Sequence, residues 1–218
     1  RLLITMLAGA LAITAIITAM APQAWGILNA HSEKPVALSQ FSGLAQRSIL
    51  LDVNGQQVGV FQVKNTQQTP ISAVPELVQN AFIAVEDSVF YEHDGVNLRA
   101  VGRALLANSQ GGGRQGASTI TQQVIKNELL GGKISGSRLK LLQIRGAVML
   151  EKQLSKEEIL ERYLNTVFFG NNAFGLQAAA EVYFGTSVQG LSQNQGAFLA
   201  GMVQAPSSRD PFTKPDAS

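Results

Sequence analysis

Two adjacent carboxylates, Glu86 and Asp87, interrupt an apolar stretch of the sequence that reads AVEDSVFYEH over residues 84–93. On a helix, Glu86 would share a side with Ile83 and Phe90, which lie three residues before it and four after it. A carboxylate beside an apolar stripe loses hydration, so its pKa rises and it becomes a better proton acceptor near neutral pH. Glu86 is therefore a candidate general base. A boundary residue of an amphipathic helix, with its carboxylate reaching water, would show the same spacing.

A second group of polar residues follows in GASTITQQVIKN, residues 116–127. Thr119, Gln122 or Gln123, and Lys126 recur at helical spacing and form one polar stripe on an otherwise apolar helix. A hydroxyl, amides and a single ammonium group suit a ligand that carries sugar hydroxyls and an anionic group. An ordinary solvated face is the competing interpretation, but such faces usually carry several charges and this one carries a single lysine.

A basic cluster lies in SRLKLLQIR, residues 137–145, where Arg138, Lys140 and Arg145 surround leucines. Basic side chains among apolar ones, beside a glycine-rich segment, are typical of contact with lipid headgroups. They would also neutralise a diphosphate leaving group. Cations on a core helix that extend their charged ends to water would give the same pattern.

The composition excludes several classes of site. The chain has no cysteine, so disulfides and thiolate zinc sites are excluded. Its formal charge of +2 and pI of about 9.0 are a mild basic excess, compatible with an anionic substrate but not typical of nucleic-acid binding. The sequence contains no phosphate-binding loop motif, no dinucleotide-binding glycine motif and no serine–histidine–aspartate set. His93 and Asp87, taken alone, indicate only a helix cap or a packed hydrogen bond.

The elements that must position these residues follow from periodicity and turn signals. Residues 48–63 predict a β-hairpin that turns at Asn54-Gly55. An apolar stripe that begins at Val74 and continues through Leu77, Val78, Phe82, Val85 and Val89 predicts the helix that carries Glu86. Further helices are predicted over residues 98–107, 119–130, 138–153, 155–165, 171–183 and 192–205. Ser118 or Thr119 is the predicted N-cap of the helix over 119–130. The helices over 155–165 and 192–205 are predicted to begin with capping boxes, Ser155 with Glu158 and Ser192 with Gln195.

The first residues predict a membrane anchor. Leu2 to Ala21 is almost wholly apolar, and about 20 residues at ~1.5 Å each span ~30 Å, one hydrocarbon core. Arg1 precedes this stretch on the expected cytoplasmic side, and Trp25 follows it at the expected interface. A cleaved signal peptide is the alternative, although its apolar region is usually shorter. The predicted division is an anchor over 1–28, a linker and hairpin over 29–70, and a domain over 71–218.

Together, these stretches resemble the peptidoglycan glycosyltransferase domain of class A penicillin-binding proteins. AVEDSVFYEHDGV is similar to the first family motif, Glu-Asp-x-x-Phe-x-x-His-x-Gly, and GASTITQQVIKN to the second. SKEEILERYLNTVFFGNNAFGLQAAAEVYFG resembles the fourth motif and LSQNQGAFLAGMVQAPSSRDP the fifth, in the same order. The resemblance covers about Ser48 to Pro211. It implies a mainly α, lysozyme-like, two-lobed glycosyltransferase domain, with a small β-hairpin element and an N-terminal transmembrane helix.

The resemblance also implies roles for individual residues. Glu86 would be the general base that deprotonates the acceptor sugar, and the resemblance favours this role over that of a boundary residue. A divalent cation, expected to be Mg²⁺, would lie near the diphosphate. The residues expected to bind substrate or to shape its site are Asp87, Phe90, His93, Ser118, Thr119, Gln123, Lys126, Asn127, Arg138 and Lys140.

One position departs from the family pattern. The third motif reads Arg-Lys-x-x-Glu, and its glutamate is the second catalytic carboxylate, but the aligned stretch here is LKLLQ, with Lys140 in place and Gln143 at the glutamate position. A neutral amide neither ligates a cation as a carboxylate does nor transfers a full proton. Glu151 lies eight residues on and ~80° around a helix, so it would substitute only if the helix were rotated.

The resulting hypothesis is a peptidoglycan glycosyltransferase that polymerises lipid II into glycan strands and releases undecaprenyl diphosphate. The expected partners are lipid II, the growing glycan strand, the cytoplasmic membrane and cell-wall synthesis proteins, without nucleic acid. The expected location is a single-pass protein of the cytoplasmic membrane with its catalytic domain on the outer face. Three alternatives stay open: a form impaired by Gln143, a lysozyme-like lytic enzyme, and a non-catalytic scaffold.

Overall fold

The computed structural model describes residues 48–61, 65–109, 118–130 and 136–212. All of them lie in one compact unit of the chain, Leu38–Ser218. This part of the chain is mainly helical and carries two small two-stranded sheets. None of the helices described there is long and apolar enough to cross a bilayer. The predicted anchor over 1–28 lies outside the described residues, and the predicted domain boundaries stay predictions.

The helices and strands are as follows. The α-helices within the described residues are α1 (Glu76–Glu86), α2 (Leu98–Ser109), α3 (Ile120–Ile125), α4 (Gly136–Leu150), α5 (Lys156–Thr166), α6 (Leu176–Phe184) and α7 (Gln193–Val203). A π-helical turn, Lys126–Leu130, continues α3, and short 3₁₀ turns cover Ile71–Ala73, Phe90–Glu92 and Val188–Gly190. The strands are β1 (Ser48–Leu51), β2 (Gln57–Phe61), β3 (Asn65–Thr66) and β4 (Ala173–Phe174).

The predicted hairpin is present, but its turn differs from the prediction. β1 and β2 pair antiparallel, with Leu51 opposite Gln57, so residues 52–56 form the loop. A two-residue Asn-Gly turn needs positive φ at both positions, and here only Gly55 has it, at 78°. The carboxylate of Asp52 organises the longer loop instead, because its Oδ1 accepts from the backbone N–H groups of Asn54 and Gln56, each at 2.8 Å.

Helix α1 begins directly after Pro75 and buries Val78, Phe82 and Ile83. The predicted stripe was therefore partly wrong: Leu77 and Val85 are 57% and 40% exposed. Residues at spacings of three and four form two adjacent rows on a helix, and the sequence spacing alone did not determine which row faces the core. Glu86 is the last residue of the helix.

Helix α1 packs along α7, and the side chain of Val78 in α1 lies against the backbone of one α7 glycine. A Cβ at Gly196 would lie 2.7 Å from Cγ2 of Val78, a distance that real Cβ contacts do not show. The absence of a side chain at Gly196 therefore sets the separation of the two helices. The capping box of α7, Ser192 with Gln195, is formed as predicted.

The core lies between α1, α3 and α5, with α6 and α7 beside them. Phe82 of α1 makes edge-to-face contacts with Tyr163 of α5 and with Phe169, at ring-centroid distances of 6.5 and 5.9 Å. Such aromatic pairs stabilise a core beyond the area that they bury. The predicted capping box of α5, Ser155 with Glu158, is confirmed.

The segment predicted as a helix over 171–183 is a turn, a short strand and then α6. Asn171 and Asn172 have φ of 44° and 57°, a left-handed conformation that asparagine tolerates better than most residues. The turn leads into β4, which pairs in parallel with β3. The side-chain amide of Asn171 donates to Asp210 at 3.0 Å, which holds the turn in place.

Candidate active site

Glu86 lies at the C-terminal end of α1 with only one of its carboxylate oxygens engaged. Its Oε2 accepts a hydrogen bond from Nε2 of Gln123 at 2.6 Å. Its Oε1 is buried and has no hydrogen-bond partner among the described residues. Burial raises the pKa of Glu86, the Gln123 bond opposes that rise, and the charge of Asp87 adds to it. Glu86 therefore has a raised proton affinity and an oxygen with no partner among the described residues, both of which suit a general base.

Asp87 has a different role, because its backbone is extended (φ −160°) and turns its side chain away into the protein. Its Oδ2 accepts from Nε2 of His93 at 2.9 Å and from the backbone N–H of Ile120 at 3.1 Å. The backbone N–H of Gly95 donates to Nδ1 of His93 at 3.1 Å, so the proton of the neutral imidazole lies on Nε2. Asp87 and His93 thus fasten the loop after Glu86 to the start of α3.

The same loop is held from two further sides. Gly95 has φ of 86°, and a Cβ there would lie 2.7 Å from the backbone of Ala147 in α4. The hydroxyl of Thr119 donates to the carbonyl of Gly95 at 2.8 Å and caps α3 by accepting from the backbone of Gln122. Phe90 is fully buried, and Nζ of Lys156 lies 4.5 Å from its ring centroid. The loop therefore gives Glu86 a rigid support.

The predicted polar stripe on α3 is divided in the structure. Thr119 and Gln122 are each 1% exposed, and both bond within the protein. Gln123 turns to Glu86, whereas Lys126 is exposed and Asn127 is half-buried on the π-helical turn. Only part of the stripe is therefore available to a ligand, and the buried part builds the wall of the site.

Lys140 of α4 extends across to α3. Its Nζ donates to Oε1 of Gln122 at 2.7 Å and to Oγ of Ser118 at 2.9 Å. Burial lowers the pKa of Lys140. Gln143, one turn further along α4, is 6% exposed and uncharged. Among the described residues, the hydrogen-bond partners of Lys140 are therefore neutral oxygens. Arg138 lies in α4, with its side chain outside the described part of the chain.

Glu151 does not replace a carboxylate at position 143. It lies just beyond the end of α4 and is held by two partners within the protein. Its Oε1 accepts from the hydroxyl of Thr121 at 2.6 Å, and Lys156 forms an ion pair with it at 2.8 Å. The carboxylate is therefore committed to linking α3 and α5.

Another carboxylate with a buried oxygen that lacks a partner among the described residues was not anticipated from the sequence. Glu128, on the π-helical turn, forms an ion pair with Arg162 of α5 at 2.9 Å, and its side chain is 3% exposed. Its Oε1 is buried and has no partner in the described structure. Burial raises its pKa and the charge of Arg162 opposes that rise. The available signal was an acidic residue within the apolar context of Ile125 and Leu129.

Comparison with known proteins decides the family. A family model described as Transglycosylase matches residues 54–218. The chain belongs to the transglycosylase family. Penicillin-binding protein 1F of Bacillus subtilis (strain 168) is 41% identical to it over 170 residues, covering 78% of this chain and 24% of the relative. Penicillin-binding protein 1A/1B of the same organism is 42% identical over 171 residues, covering 78% and 19%.

A further curated relative and one solved structure are also similar to part of this chain. Penicillin-binding protein 1A of Neisseria flavescens is 41% identical over 164 residues, covering 75% of this chain and 20% of the relative. The 2.6 Å crystal structure of penicillin-binding protein 1A from Haemophilus influenzae aligns with 78% of this chain and 16% of that chain, at 22% identity and a TM-score of 0.40. The transglycosylase chain spans about a fifth to a quarter of the curated relatives it matches. The class A penicillin-binding protein family inferred from the motifs is confirmed.

Proposed function

We propose that this transglycosylase domain is a peptidoglycan glycosyltransferase, which polymerises lipid II into glycan strands and releases undecaprenyl diphosphate. The observation that carries the proposal is the state of Glu86, whose Oε2 is held by Gln123 while its buried Oε1 is unpartnered. The raised pKa of this carboxylate suits proton removal near neutral pH. The motifs of the transglycosylase family surround it.

In the proposed reaction, Oε1 of Glu86 removes the proton from a sugar hydroxyl of the acceptor. The hydroxyl oxygen attacks the anomeric carbon of the growing chain, and the bond from that carbon to the diphosphate oxygen breaks with inversion. Gln123 keeps the carboxylate oriented throughout, because its amide holds the other oxygen. The loop fastened by Asp87 and His93 keeps the end of α1 in place.

The leaving diphosphate would meet the cationic part of the site. Lys140, whose contacts are neutral oxygens, and Lys126, which is exposed, are the described cations proposed to face it. Ser118, Asn127 and Arg138 are proposed to complete the binding surface, which the buried Thr119 supports from behind. These groups stabilise the charge that develops on the leaving group.

Mg²⁺ is part of the proposal as a cation brought with the diphosphate. Within the described residues, no group of three or more histidine, aspartate or glutamate side chains is placed to hold a metal ion. Mg²⁺ is commonly bound by substrate phosphates with only one or two carboxylates. The cation is therefore proposed to bind with the substrate diphosphate, whose negative charge it would help to neutralise.

The wider setting is also proposed from the family. The chain would be a single-pass protein of the cytoplasmic membrane, with a lysozyme-like, two-lobed catalytic domain on the outer face. It would act on lipid II and the growing glycan strand beside other cell-wall synthesis proteins. The relatives named above are penicillin-binding proteins, and this chain matches only part of each.

A catalytically impaired form is the second candidate, and Gln143 is the observation that favours it. The amide lies on α4 one turn from Lys140, where the family motif has a carboxylate. Neither an acid–base step nor cation binding is available to a neutral amide in the way it is to a carboxylate. An inactive chain would still bind its substrate through the cations and amides of the site.

Incubation of the purified chain with lipid II and Mg²⁺ tests both candidates. Polymer from the chain as it stands supports an active enzyme, and polymer only from Gln143→Glu supports the impaired form. No polymer from either would overturn the enzymatic proposal, and tight lipid II binding in that case would indicate a scaffold. Release of sugar fragments from purified cell wall would instead indicate a lytic enzyme.

A further inference from the structure

Tyr163 of α5 has a buried hydroxyl that the surrounding protein does not satisfy. The residue is 0% exposed, and its hydroxyl has no hydrogen-bond partner among the described residues. Buried polar atoms in folded proteins nearly always have a partner, because leaving one unsatisfied is costly. An unsatisfied donor at this position therefore needs an explanation from its surroundings.

The packing of the ring places this hydroxyl near the end of α1. The ring of Tyr163 contacts Phe82 edge-to-face, at 6.5 Å between centroids. Phe82 lies four residues before Glu86, on the same face of the helix. The negative charge of Glu86 acts on Tyr163, because after burial it is the second cause that raises the pKa of the phenol. Tyr163 and Glu86 are thus neighbours across the α1–α5 interface.

Glu86 presents the complementary group. Its Oε1 is also buried and also without a partner among the described residues, whereas its Oε2 is bonded to Gln123. The two unsatisfied atoms are a hydroxyl donor and a carboxylate acceptor. Each carboxylate oxygen has two lone pairs, so one donor to Oε1 leaves a second lone pair that can accept a proton.

We propose that Tyr163 is a positioning residue whose hydroxyl donates to Oε1 of Glu86 through one bridging water molecule, because neither atom has a direct partner among the described residues. Gln123 then holds Oε2 and Tyr163 holds Oε1 through the water, so the orientation of the carboxylate is fixed. The remaining lone pair of Oε1 is the one proposed to accept the substrate proton. Tyr163 keeps its proton during the reaction. The role in catalysis rests on the proposed function, whereas the hydrogen bond itself does not.

The bond is tested by measuring the titration of Glu86 directly, without substrate. Protein labelled with ¹³C at the glutamate carboxyl groups gives the pKa by NMR, and Glu86→Gln identifies the signal. A donor to the charged form lowers a carboxyl pKa, so Tyr163→Phe is expected to raise the pKa of Glu86. The matched control is Tyr183→Phe, which removes the hydroxyl that donates to the carbonyl of Phe169 at 2.8 Å and is expected to leave Glu86 unchanged.

A second substitution covers the case in which Tyr163→Phe does not fold. A 3-fluorotyrosine placed at position 163 keeps the ring and its hydroxyl but is a stronger donor, so the pKa of Glu86 is expected to fall. A shift in the expected direction in either variant supports the bond. An unchanged Glu86 titration in the folded variants overturns it.

Kinetics separate this inference from the proposed function. With lipid II, Tyr163→Phe is expected to lower kcat about three- to tenfold with little change in KM, the loss typical of one hydrogen bond. The acid limb of its pH profile is expected to move to higher pH. A titration shift without polymer from any variant would keep the hydrogen bond and reject the enzymatic proposal. Polymer formation together with an unchanged Glu86 titration would support the enzymatic proposal and reject the hydrogen bond.

Discussion

The end of α1 and the π-helical turn after α3 each hold a buried glutamate, and the two glutamates have opposite partners. Glu86 is bonded through one oxygen to the neutral amide of Gln123. Glu128 is bonded through one oxygen to the guanidinium of Arg162. In both, the second oxygen is buried without a partner in the described structure, and burial is the main reason for a raised pKa.

The difference lies in the sign of the neighbouring charge. Arg162 opposes the rise in the pKa of Glu128, because a cation stabilises the charged carboxylate. Asp87 adds to the rise in the pKa of Glu86, because a second negative charge destabilises it. The pair at the π-helical turn is therefore suited to joining two helices. The unpaired charge at the end of α1 is suited to accepting a proton.

The largest expected effect is on turnover, in Glu86→Gln. Removal of a general base typically costs 10²- to 10⁴-fold, and we expect kcat for lipid II polymerisation to fall by about that factor. The fold should not be weakened, because a neutral amide is easier to bury than the carboxylate it replaces. Turnover and thermal unfolding at pH 7 measure the two effects. A variant within tenfold of the wild-type rate would contradict the assignment of the base.

The next effect is on stability, in Arg162→Leu. Loss of the cation leaves Glu128 buried and uncompensated, and removal of one partner of a buried pair is strongly destabilising. Because the Arg162 side chain is 32% exposed, we expect a moderate loss of about 2 kcal/mol in the free energy of unfolding at neutral pH. Urea unfolding at several pH values measures it.

The pH dependence of that loss has a definite sign. Glu128 is an acid whose pKa is raised in the folded state, so its contribution to stability is greatest below the ordinary glutamate pKa and falls as pH rises through the raised value. The deficit of Arg162→Leu should therefore shrink in acid. The double variant Glu128→Leu with Arg162→Leu is the control and should recover most of the loss. Equal instability of the single and double variants would mean that the pair is not what Arg162 contributes.

Gln123→Ala is expected to have a smaller effect than the two substitutions above. The main change should be in the pH profile of kcat. The Gln123 bond lowers the pKa of Glu86, so its removal should raise that pKa further and move the acid limb of kcat to higher pH. Less precise orientation of the carboxylate should also reduce the rate at optimal pH by about tenfold. A full pH–rate profile measures both. An acid limb that stays in place would show that Gln123 does not bond Glu86 in the working enzyme.

Glu128→Gln should have the smallest effect on activity and on stability. The amide oxygen still accepts from Arg162, and the partly exposed guanidinium can reach water. We expect activity within about twofold of wild type and a stability change of about 1 kcal/mol or less. Parallel assays with Glu86→Gln make the comparison direct. A loss of turnover similar to that of Glu86→Gln would remove the distinction between the two glutamates.

Local sequence signals predicted the elements that depend on neighbouring residues. The capping boxes at Ser155 and Ser192 lie where predicted, because each is completed within one helical turn. The turn at Asn171 and Asn172 was missed, because a left-handed pair is one of several conformations that asparagine adopts. The prediction that Leu77 faces the core was wrong. Packing against α7 determines which row of α1 residues is buried, and the local spacing does not show that packing.

In the candidate site, too, the sequence predicted some features and not others. Glu86, Gln123 and Lys140 were each candidates from residue type and motif, and whether they bind substrate stays a prediction. What spacing alone did not provide was the contact between Glu86 and Gln123, 37 residues apart, or the pair of Glu128 and Arg162, 34 residues apart. Such contacts depend on how α1, α3 and α5 pack, and no local periodicity encodes that.

The glycine at the α1–α7 contact can affect the position of Glu86, which lies at the far end of α1. Val78, which meets Gly196, lies eight residues before Glu86, or about 12 Å along the axis of α1. A methyl group at Gly196 that tilted α1 by roughly 5° would carry its far end through about 1 Å, a misplacement that can cost a hundredfold in rate. The position of the Glu86 carboxylate therefore depends on a helix–helix contact about 12 Å away from it.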